Sequence, residues 1–142
     1  MSKEKLNREE IEAAIHFQVF TDDQRWVEAL KPALQRYGTF ETSPSADFSA
    51  DHQFVIKPDV ILLYPSIRFG VDKDALKQLW LVNQHYPNSV ICYFAAAPME
   101  REAVAVITNG GSNYISLSYD GVKVEQQIHG LVQLRRQGNP TF

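Results

Sequence analysis

The chain has 142 residues, enough for one core of ordinary size and too few for two. Hydrophobic residues make up 44% and charged residues 22%, the balance of a globular domain. A formal net charge of −3 argues for neither a nucleic-acid surface nor an acidic tail, and apolar runs such as Val90 to Ala97 are too short to cross a bilayer.

Residues 1–14 are polar, with Asn7 and Glu10 spaced as a helix cap, and read as an extension with no charged-then-apolar leader. The first predicted strand is Ile15 to Phe20, with Ile15, Phe17 and Val19 on one face. A helix follows on the stripe Trp26, Leu30, Leu34 and Tyr37, ended by Gly38. Pro32 is expected to kink or shorten it, because proline removes a backbone donor. Thr39 to Thr42 forms a short strand, and 43–57 a loop with one weak helical turn. Pro58-Asp59 introduces Val60 to Leu63, an apolar run suited to a parallel strand buried on both faces.

After a loop from Tyr64 to Val71, Leu76, Leu79, Trp80 and Val82 predict a helix with a wide apolar face, stopped by Pro87-Asn88. Val90 to Phe94 is a second buried strand. The next helix spans 100–109 and is closed by Gly110-Gly111, which follow a helix and so are no phosphate loop. Tyr114 to Leu117 is the last strand. A final helix spans 122–136, with Val124, Ile128, Leu131 and Leu134 inward, and 138–142 form a tail of linker character. The alternation predicts an α/β fold over 15–137: one parallel sheet, doubly wound, with helices on both faces. Cys92 lies in an apolar run and reads as a small core residue, in keeping with a reducing, cytoplasmic setting. His16, His52, His85 and His129 have no metal-motif spacing and read as solvated or core-edge residues.

Doubly wound folds place function at the carboxyl ends of their strands. Three patterns occur there in order: Asp22-Asp23 after the first strand, Pro58-Asp59-Val60-Ile61-Leu62-Leu63, and Gly110-Gly111-Ser112-Asn113-Tyr114-Ile115. With them the chain resembles the receiver (CheY-like) domain of two-component response regulators. The resemblance implies five strands in the order 2-1-3-4-5. In active receivers two acidic residues and an acceptor aspartate hold Mg²⁺, the aspartate attacks phosphorus, and a hydroxyl and a lysine bind the phosphoryl oxygens.

Carried over residue by residue, Asp22 and Asp23 match the acidic pair, but the acceptor falls on Tyr64, the hydroxyl on Ala95 and the lysine on Leu117. A shift of one place offers only Leu63, Pro65, Phe94, Ala96, Ser116 and Ser118, none of them a carboxylate or a lysine. A phenol with a pKa of about 10 is a poor nucleophile at neutral pH without a base, so Tyr64 is no substitute acceptor. The expectation is a degenerate pocket with no bound metal and no cofactor, in a phosphorylation-independent pseudo-receiver that is not an enzyme.

Asp22-Asp23 also has a structural reading, since Thr21 and Gln24 have the form of a capping box whose helix would welcome nearby carboxylates. Tyr114 takes the switch-aromatic position. Val104, Val106 and Ile107 cover more than a narrow stripe of helix 100–109, and with Tyr114 they form a candidate interaction face. In receivers the fourth helix, fifth strand and fifth helix form the usual dimer and partner surface, which implies protein partners or a homodimer, with no direct nucleic-acid contact and no membrane insertion. The chain also resembles the atypical receiver of the pilus-assembly localisation proteins (the CpaE/TadZ group), which join such a domain to a MinD-like ATPase. A flavodoxin-like cofactor enzyme is the remaining alternative. Two negative charges after the first strand would repel its phosphate.

Overall fold

A computed structural model describes residues 14–66 and 72–138. The cap expected at Asn7 and Glu10, most of the extension and most of the tail lie outside those residues. Among the described residues five strands and four helices follow in the order β1 (Ile15–Thr21), α1 (Gln24–Tyr37), β2 (Gly38–Ser43), β3 (Val60–Tyr64), α2 (Lys73–His85), β4 (Val90–Ala95), α3 (Glu100–Thr108), β5 (Asn113–Ser116) and α4 (Gly121–Arg136). The strands are all parallel, in the order β2-β1-β3-β4-β5. No helix among the described residues is long and apolar enough to cross a membrane.

Strand alternation sorts the core into two layers. Phe17 and Val19 of β1, Val60 and Leu62 of β3, and Val90, Cys92 and Phe94 of β4 face α1 and α4. Phe20, Ile61, Leu63, Ile91 and Tyr93 face the other way, toward α2, α3 and the loop before β3. Ile15, Phe17 and Val19 share the first layer, as the two-residue period requires. Burial raises the Cys92 thiol well above its ordinary pKa and leaves it an inert packing group.

The second layer lacks a helix between β2 and β3. A single 3-10 turn, Ser45–Asp47, is followed by a loop whose rings close the gap. Phe20 meets Phe48 edge-on at 5.3 Å and His52 at 5.1 Å, and Phe54 meets Tyr86 at 5.0 Å.

Gly38 ends α1 and opens β2 in one step. A Cβ there would stand 1.9 Å from the Ile15 carbonyl oxygen, so close approach of the two backbones demands glycine. Gly110, with φ +103°, takes the left-handed turn that closes α3.

Two expectations are corrected here. Pro32 does not shorten α1, which runs on to Tyr37. It sits on the exposed side, where water can take the carbonyl of Glu28 that loses its donor. Trp80 is not part of a buried face: it is 48% exposed, while Leu79 and Val82 carry the packing of α2. At the helical 100° step, Trp80 points well away from the line those two define, toward the outer side of α2.

Candidate functional site

The carboxyl ends of β1, β3, β4 and β5 converge at one pole of the sheet. Thr21, the last residue of β1, is in register with Tyr64, the last of β3. Ala95 pairs with Ser116, and the Leu117 amide donates to the Ala95 carbonyl at 2.8 Å. A cavity of about 290 Å³ opens at the pole, lined by Thr21, Asp22, Asp23, Tyr64, Pro65 and Ser66. The structure thus brings Asp22, Asp23 and Tyr64 together. Ala95 and Leu117 stand at neighbouring strand ends, but their side chains pack in opposite core layers and do not line the cavity.

Both aspartates are hydrogen-bonded to other residues of the chain. Asp22 Oδ1 accepts from the Ser45 amide at 3.3 Å, and Oδ2 accepts from the Ser45 hydroxyl. The Ser45 hydroxyl holds the carboxyl of Asp22 below its ordinary pKa, helped by the Ser45 amide and by Ser66 and opposed by burial. Asp23 Oδ1 accepts from the Trp26 amide at 3.1 Å, and Oδ2 accepts from the Tyr119 hydroxyl. For Asp23 burial acts upward, but the Tyr119 hydroxyl, the Trp26 and Arg25 amides and the Arg25 charge carry its pKa down. The same bond to Asp23 raises the pKa of Tyr119, over whose ring the Arg25 guanidinium lies at 4.5 Å.

The cap of α1 is therefore Asp23 and not Thr21, a correction to the capping box read between Thr21 and Gln24. The Thr21 hydroxyl instead accepts from the Asp23 amide at 3.1 Å, which aims the aspartate at the helix. Asp22 turns away from the helix toward the 3-10 turn. Tyr64 stands half-buried, its ring edge-on to Trp26 at 5.7 Å. Among the described residues no group of three or more His, Cys, Asp or Glu is arranged to hold a metal ion.

Tyr114 of β5 is half-buried and stacks on Tyr93 of β4, ring centroids 5.3 Å apart and planes 14° apart. Its hydroxyl donates to Glu102 Oε1 at 2.6 Å and accepts from the Met99 amide at 3.2 Å. On the outer side of α3, Val104 and Ile107 are 59% and 48% exposed. Val106 is fully buried against the second layer and drops out of the interaction face, because it lies on the side of α3 turned to the sheet.

No family model matches the sequence, and no curated protein matches it. Solved structures do. The likeness extends to an orphan response regulator of H. pylori (TM-score 0.65, 12% identity, 87% of this chain and 97% of that one). It extends also to a CheY-like receiver domain protein from Methanospirillum hungatei (TM-score 0.65, 12% identity, 87% and 98%). A third is the beryllofluoride-activated NtrC4 receiver domain dimer (TM-score 0.65, 15% identity, 84% and 98%). The fold is that of a response-regulator receiver domain.

On the receiver fold the acidic pair, Tyr64, Ala95 and Leu117 all fall at the strand ends where sequence reading put them. Sequence reading missed Ser45, Ser66, Tyr119 and Glu102. The first three sit in connecting segments, where spacing carries no period. Glu102 left one signal, a charged residue one turn before Val106 on the inward side of an otherwise apolar stripe.

Proposed function

We propose that this receiver-fold domain acts in signalling as a pseudo-receiver, binding other proteins without being phosphorylated and without catalysing a reaction. The observation that carries the reading is the strand-end cavity. Its acceptor position holds a phenol, and both of its carboxylates already serve as hydrogen-bond acceptors for Ser45, Trp26 and Tyr119. An incoming Mg²⁺ would have to displace those bonds and would find no third carboxylate among the described residues around the cavity. Ala95 and Leu117 offer no hydroxyl and no ammonium group to a phosphoryl oxygen.

Protein contact is assigned to the outer side of α3 and the adjoining β5 and α4. Met99, Val104 and Ile107 expose apolar surface on α3 and the turn before it. The NtrC4 receiver is a dimer, and a homodimer through this surface is the form of the reading to test first. The partner is another protein and not nucleic acid or membrane, and the domain works in the cytoplasm.

The test is incubation with Mg²⁺ and acetyl phosphate, followed by intact-mass measurement. The expected result is an unchanged mass. An acid-stable, base-labile acyl phosphate on the chain would overturn the reading.

A further inference from the structure

We infer that Glu102 is a built-in pin that holds α3, and with it the exposed face of Met99, Val104 and Ile107, in a single arrangement. The inference rests on the pseudo-receiver reading only for its purpose, since such a domain needs its partner surface set by something other than a phosphoryl group.

Helix α3 has nine residues, too few to be stable without tertiary contacts. Its buried residues are Val106 and Glu102, so a broad apolar face does not fix its position. What fixes it is polar. Glu102 is 3% exposed and reaches two strands at once: Tyr93 of β4 donates to Oε2 at 3.1 Å, and Tyr114 of β5 to Oε1 at 2.6 Å. Met99, the cap of α3, makes no side-chain capping bond to the helix. Its amide instead donates to the Tyr114 hydroxyl, so the helix start and the carboxylate meet on one oxygen. The stacked rings of Tyr93 and Tyr114 brace the two hydroxyls against rotation.

A buried carboxylate tolerates partial satisfaction poorly, because each lost donor leaves an oxygen cut off from water. With the hydroxyls in place the pin favours one seat for α3. Losing either hydroxyl removes one of the bonds that tie Glu102 to the sheet and weakens the preference of α3 for that seat. Met99, Val104 and Ile107 lie on the turn and helix that would shift, so the geometry of the proposed contact face follows the state of the pin. Glu102 is a positioning residue for that face and makes no contact with a partner itself.

The test uses the full chain, with amide hydrogen exchange and NMR relaxation dispersion on the native protein and on Glu102→Ala, Glu102→Gln and Tyr114→Phe. Glu102→Ala should accelerate exchange of amides 99–108 by about 10-fold or more, the factor set by losing a hydrogen bond to a charged group, and should produce microsecond-to-millisecond exchange in α3 and β5. Tyr114→Phe should do the same to a smaller extent, and Glu102→Gln, which keeps one carbonyl acceptor, should fall between the native protein and Glu102→Ala. Amides of β1 and β3 should keep native rates. Native exchange in α3 would overturn the inference, as would equal acceleration in every element, the mark of a plain loss of global stability. Should Glu102→Ala fail to fold, Tyr114→Phe keeps the ring and carries the same two outcomes. Acyl phosphate formation would refute the pseudo-receiver reading while leaving these exchange results to stand or fall alone.

Discussion

The two faces of the sheet are closed in different ways. On one side α1 and α4, of 14 and 16 residues, cover β1, β3 and β4 with Trp26, Leu30, Leu34, Ile128 and Leu131. Polar pairs tie them together, Arg36 with Glu125 and the Tyr37 hydroxyl with His129 at 2.9 Å, and Arg135 ties α4 to Asp59 before β3 at 3.0 Å. On the other side shorter helices and an aromatic loop do the covering, and most of the exposed large apolar residues lie there: Val55, Ile56, Trp80, Met99, Val104 and Ile107. The contrast teaches a division of labour. The first face supplies stability, and the second leaves apolar surface available for contact.

Truncation of a tryptophan on each face tests that division most directly. Trp26 is fully buried against Tyr64 and Phe94, and Trp26→Ala should cost about 3–5 kcal/mol by urea denaturation. Trp80→Ala on the second face should stay within about 0.5 kcal/mol of the native protein. Equal losses would erase the distinction between the faces.

Next in size is Gly38→Ala, where the new methyl meets the backbone of β1. A loss of about 3 kcal/mol is expected. An unchanged denaturation midpoint would show that β1 and β2 can part without cost.

Asp23→Ala removes the cap of α1 and should lower stability by about 1 kcal/mol, with the loss concentrated in the first turn of that helix by hydrogen exchange. The pH dependence has a defined sign. Asp22 and Asp23 titrate lower in the folded protein than the roughly 3.9 of an unfolded aspartate, so their contribution is full above that value. It is lost as pH falls through the folded values. Urea midpoints should therefore drop below pH ~4, and more shallowly in Asp23→Ala. An identical acid slope in the variant would remove Asp23 from that account.

The smallest effect is a gain. Gly130 lies exposed in α4 with open space around its missing Cβ, so Gly130→Ala should stabilise the first face by about 0.5–1 kcal/mol in thermal melts.

The order of elements was legible because burial leaves a period in the chain. The apolar runs at 60–63 and 90–94, the turn at Gly110 and the stripe Trp26, Leu30, Leu34 all stand where alternation and helical spacing put them. The acidic pair and Tyr64 were legible as strand-end residues by the same logic. Periodicity could not rank neighbours on one helix. Val104 and Val106 are the same residue two places apart, yet one is exposed and the other fully buried, a difference set by the strands beneath α3.

Sequence alone therefore determined which segments form strands and which form helices, since hydrophobic period is a local property. Tertiary structure decided where the polar side chains close their bonds: Asp22 on Ser45, Asp23 on Tyr119, and Glu102 between two tyrosines. Those partners lie 9 to 96 residues away along the chain, and only the folded sheet brings them within reach.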